Sequence, residues 1–248
     1  MFLSEMIKKL VVFSGAGMSA ESGIDTFRGN NGLWETHRVE DVASPEGWGR
    51  DPELVTRFYN ERRKKIIETL PNEAHMLIKK LEEWYAVTVI TQNIDDLHER
   101  AGSLDVVHLH GNIRYAKSSG PNQERAYYPI DGWALSDADC CPEGYRLRPH
   151  VVWFGEPVPM IEAAINIIMS ADVVIIIGTS LRVYPAAGLI NYIPNTAKTY
   201  CIDPNSEPFN YRMGLNSSVK PLSREWRWFL KNLLLQLFLN KQFNGPNH

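Results

Sequence analysis

The sequence predicts an α/β fold in which a doubly wound parallel sheet carries a smaller lobe formed by two insertions. Five short apolar runs rich in β-branched residues alternate with segments of helical spacing, a pattern typical of parallel sheets covered by helices. The first run ends at a glycine turn that opens a helix. Two long polar stretches interrupt the alternation, and we expect them to form the smaller lobe.

The predicted strands are flanked by glycine or polar residues, as buried parallel strands usually are. They are residues 10–14, 87–91, 106–109, 173–178 and 199–203. Helical spacing follows Asn72, whose side chain can cap a helix, and recurs in residues 160–170 and 222–239.

The chain of 248 residues suits one compact domain, 1–248, with two lobes. We expect the large lobe to comprise residues 1–28, 70–111 and 149–240. The small lobe would then combine a helical insertion, 29–69, with an insertion that has no clear periodicity, 112–148.

The composition is that of a globular protein with an ordinary core, at 44% hydrophobic and 22% charged residues. A net charge of −3 means that the chain lacks the excess of positive charge typical of nucleic-acid-binding proteins. The basic run 62–65 is interpreted as a solvated helix face, with a basic patch as the alternative. No apolar stretch approaches about 20 residues, so we expect neither a membrane span nor a signal peptide. Three cysteines form no disulfide framework, which favours a cytoplasmic location.

The turn Gly15-Ala16-Gly17 joins the first strand to a helix, as in Rossmann-like dinucleotide sites. Backbone N–H groups and the positive helix end suit a pyrophosphate there. The glycines permit the sharp turn and close approach of phosphates, and Ser19 and Ala20 keep the helix near the sheet. An ordinary dehydrogenase fingerprint does not require the Phe27-Arg28 pair that follows.

Six motifs together resemble the sirtuin family, in that family's order and over nearly the whole chain. They are GAGMSAESG at 15–23, TFR at 26–28, TQNID at 91–95, HLHG at 108–111, VWFGE at 152–156 and GTS at 178–180. The resemblance implies an NAD-dependent deacylase that acts on acylated lysine side chains of proteins. The acyl group would pass to ADP-ribose, and nicotinamide would be released.

The resemblance assigns the cofactor to strand-end turns and to the loop after the first helix. The implied cofactor residues are Gly15, Ala16, Gly17, Ser19, Ala20, Phe27, Arg28, Trp34, Gln92, Asn93, Ile94, Asp95, Gly178, Thr179, Ser180, Asp203, Asn205 and Asn216. Asp203 stands where relatives usually have Asn, and an aspartate there favours NAD over NADP by repelling a 2′-phosphate.

Polar residues after the second strand lie at the sheet edge where α/β folds bind ligands. Asp95 could accept from an amide such as the nicotinamide carboxamide, while Gln92 and Asn93 could hold ribose and water. We assign Asn93 a catalytic role beside His110. The alternative is that Asn and Asp only cap a turn, as they often do.

His110 is the general base that the resemblance implies, activating a ribose hydroxyl after nicotinamide has left. An imidazole that titrates near neutrality suits this task. His108 projects on the same side of the strand and is the rival. Adjacency to Gly111 favours His110.

The resemblance places the substrate peptide between two extended edges, a form of strand addition. The implied substrate residues are Val152, Trp153, Phe154, Gly155, Val183 and Tyr184, joined by Tyr59 and Arg62. Tyr59 and Arg62 share a helix face and are similar to the Tyr-x-x-Arg pair of class III sirtuins, which remove succinyl, malonyl or glutaryl groups. The alternative is an ordinary helix surface.

Sirtuins generally bind a structural zinc through two Cys-x-x-Cys pairs, and this chain departs from that pattern. Residues 117–121 hold no cysteine, and only Cys140 and Cys141 remain of the second pair. Two adjacent thiols cannot close a tetrahedral site, so we predict that zinc is absent. An aromatic plug of Tyr115, Tyr127, Tyr128 and Trp133 is expected in its place.

Two other kinds of function stay open on the residues alone. The same scaffold could serve an NAD glycohydrolase or ADP-ribosyltransferase, or a non-catalytic module that binds NAD or ADP-ribose. The peptide-flanking segments argue against the first, and the joint presence of Asn93, Asp95 and His110 argues against the second. Nothing in the sequence requires an oligomer, and we expect a monomer.

Overall fold

A computed structural model describes residues 7–25 and 38–202. The main sheet is parallel, with strand order β3-β2-β1-β7-β8. Its strands are β1 Lys9–Ser14, β2 Ala86–Thr91, β3 Val106–His108, β7 Val173–Ile177 and β8 Lys198–Ile202. The predicted α/β fold and all five predicted strands are confirmed, with ends that differ by one residue.

β1 lies at the centre of the sheet because its residues are apolar on both faces. Leu10 is paired with Val87 on one side and with Val173 on the other. Two buried clusters cover the faces of the sheet, one around Phe13 and one around Leu10. The strand tips therefore end together at one edge, where ligands of such sheets bind.

Helices and two 3-10 turns connect the strands of the described residues. They are α1 Gly17–Ala20, α2 Val39–Val42, α3 Pro45–Arg50, α4 Pro52–Glu68, α5 Glu73–Lys80, α6 Leu97–Arg100 and α7 Ile161–Met169, with 3-10 turns at Leu81–Glu83 and Ala186–Tyr192. The predicted cap is confirmed, since the Asn72 side chain accepts from Ala74 N at 2.9 Å. The predicted helix at 160–170 corresponds to α7, and the helix predicted at 222–239 lies outside the described residues.

A second, antiparallel sheet occupies the stretch whose sequence has no clear periodicity. Its order is β5-β4-β6, with β4 Gly111–Ser118, β5 Tyr127–Pro129 and β6 Leu147–Val151. The register shifts between Gly111 and Ala116, and β5 has only three residues. These irregularities erase the period of two on which strand prediction depends.

The small sheet packs against α4 through a shared apolar cluster. Tyr59 of α4, Ile94, Ile113 of β4 and Trp153 are all buried in it. This cluster fixes where α4 stands relative to the ends of β2 and β6. Across residues 7–25 and 38–202, no helix has both the length and the apolar character to cross a bilayer.

Two buried histidines pack together beneath the sheet edge, and burial favours the neutral form of both. The rings of His75 and His98 have centroids 4.8 Å apart. Burial lowers the pKa of His75 to about 4 and that of His98 well below its ordinary value. In the unfolded chain both would titrate near 6.5, so the unfolded state binds more protons below that pH.

We therefore expect the free energy of unfolding to fall as pH drops from about 6.5 toward 4. The loss from His75 alone is about 2 kcal/mol by pH 5, since each pKa unit corresponds to about 1.4 kcal/mol. Urea unfolding at pH 7.5, 6 and 5 measures it. His75→Gln should show a shallower pH dependence, and an unchanged slope in that variant would contradict the assignment.

Candidate active site

Two glycine turns at the tips of β1 and β7 bind each other directly. The N–H of Gly15 donates to the carbonyl of Ile177 at 3.1 Å, and that of Gly17 donates to Gly178 at 2.8 Å. These two N–H groups are thus used within the protein. The predicted strand–turn–helix order is present, and the turns together form the floor of the predicted cofactor site.

The glycines are required because the turns meet without space for a side chain. A Cβ on Gly15 would lie 2.7 Å from Cβ of Thr179, and one on Gly178 would lie 2.3 Å from the backbone nitrogen of Met18. Gly178 also has a φ of +61°, in the left-handed region. A floor of bare backbone is what the close approach of a dinucleotide requires.

A buried polar cluster joins α1 to the end of β2. The Asn93 side-chain amide donates to Gly15 O at 3.1 Å and to Ser19 Oγ at 3.0 Å, while Ser19 Oγ donates to Asp95 Oδ2 at 2.9 Å. Burial raises the pKa of Asp95, although hydrogen bonds from Ser19 and from the N–H of Leu97 oppose the shift. The predicted residues Ser19, Asn93 and Asp95 are thus brought together, whereas Ala20 is exposed.

Gln92 links the second glycine turn to the predicted base. Its side-chain amide donates to Thr179 Oγ1 at 2.8 Å, and its carbonyl contacts His110 Nδ1 at 2.9 Å. Ser180 follows Thr179 and is exposed, whereas the Ile94 side chain is buried in the apolar cluster against α4.

The contacts of the two candidate histidines distinguish them. His108 is engaged at both nitrogens, by the carbonyl of Asn93 at 2.9 Å and by Glu99 Oε1 at 2.7 Å. His110 makes one hydrogen bond within the described ranges, through Nδ1. Because a carbonyl only accepts, Nδ1 carries the proton and the lone pair of neutral His110 lies on Nε2. This geometry favours His110 as the base.

Their pKa values shift in opposite directions. Burial lowers the pKa of His110, although the hydrogen bond to the Gln92 carbonyl opposes it. Burial also acts to lower the pKa of His108, but the hydrogen bond and charge of Glu99 outweigh it and raise the pKa. Burial therefore favours the neutral form of His110, whereas Glu99 favours the protonated form of His108.

We expect kcat/KM to lose activity on the acid side with a midpoint below about 6.5, the ordinary histidine pKa. The neutral imidazole is the active form, and its lowered pKa keeps it neutral to lower pH. A profile of kcat/KM from pH 5 to 8.5 measures this midpoint. A midpoint above 6.5 would instead fit His108, whose pKa is raised.

The predicted acyl-binding pair lies on α4 next to this cluster. Tyr59 is 3% exposed, and its hydroxyl oxygen accepts from Trp153 Nε1 at 3.1 Å. Burial raises the pKa of Tyr59 to about 12, so the phenol keeps its proton. Burial lowers the pKa of Arg62, while the charges of Tyr59, Asp95 and Asp25 oppose this shift. Arg62 thus lies within the electrostatic reach of both Tyr59 and Asp95.

The predicted substrate segments are present, but neither is an extended edge. The N–H groups of Val152, Trp153 and Phe154 donate within the chain, to His110 O, Glu156 Oε2 and Ala43 O. Residues 153–156 then form a turn, closed by a bond from Glu156 N to Trp153 O at 3.1 Å.

The second segment, which contains Val183 and Tyr184, lies outside any strand and leads into a 3-10 turn. The expectation of two extended edges is therefore wrong for this structure. Phe154 and Tyr184 remain largely exposed, at 51% and 75%. Gly155 has a φ of +90°, a sequence signal for a turn at this place.

The remaining cysteine pair lies beside the antiparallel sheet, and its two members have different surroundings. Cys140 is exposed, while Cys141 is buried with its sulfur 3.4 Å from Ser118 Oγ. In the part of the chain that the structure describes, no three His, Cys, Asp or Glu residues are grouped to hold a metal ion. The residues present do not fit a structural zinc site.

An aliphatic cluster, rather than an aromatic plug, packs against the antiparallel sheet around Cys141. The buried cluster comprises Ala116, Ile130, Leu135, Cys141 and Leu147, with Tyr128 packed against it. Tyr115, Tyr127 and Trp133 are exposed, at 38%, 42% and 46%. The predicted aromatic plug is therefore wrong for these three side chains.

Six predicted cofactor residues lie outside the described residues: Phe27, Arg28, Trp34, Asp203, Asn205 and Asn216. Sequence reasoning missed a buried hydroxyl pair beneath Asn93. Ser14 Oγ donates to Thr91 Oγ1 at 2.9 Å and contacts His98 Nε2 at 3.0 Å, and Thr91 Oγ1 also accepts from Asn93 N at 3.0 Å. The sequence signal for this pair is that β1 and β2 each end at a hydroxyl residue, Ser14 and Thr91.

The Sir2 family model matches residues 15–185. The chain is 52% identical over 202 residues to an NAD-dependent protein deacylase of Bacteroides thetaiotaomicron, covering 80% of this chain and 86% of that protein. A Sir2 homologue in complex with ADP-ribose matches with a TM-score of 0.83 at 35% identity, over 98% of this chain and 96% of the other. A Sir2 structure with a deacetylated p53 peptide and 3′-O-acetyl-ADP-ribose matches with a TM-score of 0.76 at 30% identity, over 93% and 94%. These matches confirm the sirtuin resemblance, and the chain belongs to the Sir2 family.

Proposed function

We infer that this chain is an NAD-dependent protein deacylase, and we propose that it prefers lysine carrying a succinyl or malonyl group. The enzyme class agrees with the names of its curated relatives, which include deacylases of Aggregatibacter actinomycetemcomitans and Helicobacter pylori. The preference depends on one observation, the interacting Tyr59 and Arg62 side chains on one face of α4, of which Arg62 also interacts with Asp95.

The residues at the sheet edge fit NAD. The side-chain-free floor at Gly15, Gly17 and Gly178 suits a pyrophosphate, and the buried Asn93–Ser19–Asp95 cluster supplies fixed polar groups beside it. When bound, NAD supplies the anomeric carbon that receives the acyl oxygen as nicotinamide leaves. The chain's own task is to hold both reactants and to exclude water from this carbon.

His110 moves the proton that completes the transfer. Because Nδ1 donates to the Gln92 carbonyl, Nε2 is the nitrogen that can take a proton from a ribose hydroxyl. The carbonyl also stabilises the imidazolium that forms. The role of Asn93 is to position: its amide is bonded to Gly15 and Ser19, which leaves its carbonyl oxygen to accept from ribose or water.

The acidic acyl group would be bound by two donors. Trp153 donates to the Tyr59 oxygen, so the Tyr59 O–H is left to donate to a carboxylate. Arg62 can bind the same carboxylate with two parallel hydrogen bonds. Each hydrogen bond to a charged group contributes about 1.5–3 kcal/mol. An acetyl group has no carboxylate to receive them.

Matched peptides test both parts of this proposal. The enzyme would be incubated with NAD and peptides that differ only in an acetyl-, malonyl- or succinyl-lysine, and products would be identified by mass spectrometry. We expect one nicotinamide and one O-acyl-ADP-ribose per lysine freed, faster with the acidic groups. Nicotinamide release without deacylation would indicate a glycohydrolase, ADP-ribose on protein a transferase, and NAD binding without turnover a binding module.

We also propose that the small lobe holds together without zinc. The support is the cluster around Cys141, which is apolar and already engages its thiol with Ser118. Metal analysis of purified protein should find far less than one zinc per chain, and chelator should leave the melting temperature unchanged. A stoichiometric zinc signal would contradict the proposal.

The cellular location, the oligomeric state and the lack of nucleic-acid binding are proposed on composition alone. We propose a cytoplasmic monomer with one catalytic domain, whose small lobe comprises residues 29–69 and 112–148 and which does not bind nucleic acid. The net charge of −3 and the three cysteines support this setting. Size-exclusion chromatography with light scattering should give one chain mass, and a dimer mass would contradict the monomer.

A further inference from the structure

Arg148 is a buried arginine next to the proposed acyl site. Arg148 lies in β6 and is 2% exposed. Its Nε and Nη2 atoms donate to Gln123 Oε1 at 3.1 and 2.8 Å, and Nη2 also donates to Glu156 Oε1. Arg148 is outside the set of site residues that the sequence predicts, and a buried charge with this many contacts calls for an explanation.

The first connection from Arg148 leads to the turn that borders the substrate. The oxygen of Glu156 that does not bind Arg148 accepts from the backbone N–H of Trp153 at 2.8 Å. Arg148 therefore fixes the carboxylate that closes the 153–156 turn. Loss of the guanidinium would leave Glu156 free to rotate away, and the turn would lose a hydrogen bond.

The second connection leads to Tyr59 through the indole ring. The guanidinium carbon of Arg148 lies 3.7 Å from the centroid of the Trp153 ring, a stacked cation–π contact. The opposite end of this indole donates from Nε1 to the Tyr59 oxygen at 3.1 Å. With one lone pair of that oxygen occupied by a donor, the Tyr59 proton is directed to another acceptor.

We propose that Arg148 is a positioning residue for the acyl-lysine site: it holds Trp153 and the 153–156 turn, and through the indole it orients the Tyr59 hydroxyl toward an acidic acyl group. This inference rests on the proposed function for its acyl preference. The effect of Arg148 on the 153–156 turn does not depend on that preference and applies to every acyl peptide. Arg148 itself does not touch the acyl group.

The chain offers a matched control in Lys117. It lies opposite Arg148 in the β4–β6 register, is equally buried at 2% exposed, and pairs with Glu124. Both residues are buried cations of one sheet with an acidic partner. The Lys117 ammonium pairs with Glu124. The Arg148 guanidinium instead stacks on the Trp153 ring and binds Glu156. A purely structural role would make the two replacements equivalent.

The test compares Arg148→Met and Arg148→Lys with Lys117→Met at a temperature below all their melting points. In Arg148→Met we expect the ratio of kcat/KM for succinyl over acetyl peptide to fall about 10-fold, the scale of one lost hydrogen bond to a charged group. KM for either peptide should rise more than kcat falls. Arg148→Lys should give a smaller loss, because lysine keeps the positive charge but lacks the planar set of N–H donors of a guanidinium. Lys117→Met should lower the melting temperature and leave both the ratio and KM unchanged.

A Tyr59→Phe background isolates the route through the indole. There, Arg148→Met should no longer change the succinyl/acetyl ratio, because the oriented hydroxyl is already gone. An unchanged ratio in Arg148→Met, an equal change in Lys117→Met, or the same change in the Tyr59→Phe background would overturn the indole route.

The two proposals can fail separately. If the wild-type enzyme shows no acidic preference, the proposed acyl specificity fails. Arg148 is then judged on the KM of the acetyl peptide, which should still rise in Arg148→Met and not in Lys117→Met. An unchanged KM would overturn the positioning role. If Arg148→Met does not fold, Arg148→Lys and Arg148→Gln provide the same comparison.

Discussion

Replacing His110 with alanine should lower the rate of deacylation by about 10²–10⁴-fold, the usual contribution of a general base. The Nε2 lone pair that takes the ribose proton disappears, while the Gln92 carbonyl that held the ring remains in place. The measurement is kcat with a saturating acyl peptide and NAD, followed by product identification. Exchange of labelled nicotinamide should survive, because the base acts after nicotinamide has left.

His108 provides the control for this experiment. Its two nitrogens are engaged by Asn93 and Glu99, so His108→Gln should affect stability more than rate. Turnover that is unaffected in His110→Ala would refute the assignment of the base. A larger loss in His108→Gln than in His110→Ala would move the role to the neighbouring ring.

Replacing Arg62 with methionine should lower desuccinylation about 10–1000-fold relative to deacetylation, since one or two hydrogen bonds to the distal carboxylate are lost. Methionine retains much of the apolar stem of arginine, so the helix face keeps its packing. The measurement is kcat/KM for the matched succinyl and acetyl peptides in both proteins. Tyr59→Phe should reduce the same ratio by a smaller factor.

Arg57 provides a matched control on the same helix. It lies in α4 with its side chain exposed, so Arg57→Met removes a positive charge away from the site. We expect its succinyl/acetyl ratio to equal that of the wild type. Equal losses on both substrates in Arg62→Met would remove the acidic-acyl site from the proposal and leave the deacylase intact.

The sheet that carries the site could be predicted from sequence because its strands are buried on both faces. Residues such as Val173 and Ile175 therefore form continuous apolar runs that end at glycine or polar residues. The polar residues at those ends, Asn93 and Asp95 among them, followed from the topology. Their shared partner Ser19 could only be seen once α1 was placed against β2.

The antiparallel sheet could not be predicted from the sequence, for physical reasons. β5 has three residues and β4 contains a register shift, so no alternating pattern survives there. Residues 153–156 form a turn where the sequence predicts an extended edge, although the glycine at 155 marks a turn. The burial of Arg148 could not be predicted, because an arginine between Leu147 and Pro149 has the composition of a surface strand.

The direct contact between the tips of β1 and β7 has a consequence for how this chain can vary. With no side chain between the two loops, a Cβ added at Gly15, Gly17 or Gly178 would lie less than 3 Å from atoms of the other loop. None of the three can be exchanged for a smaller residue, so an enlargement in one loop has no compensating change in the other. Attempts to enlarge the nucleotide pocket by engineering should therefore leave these three positions as glycine.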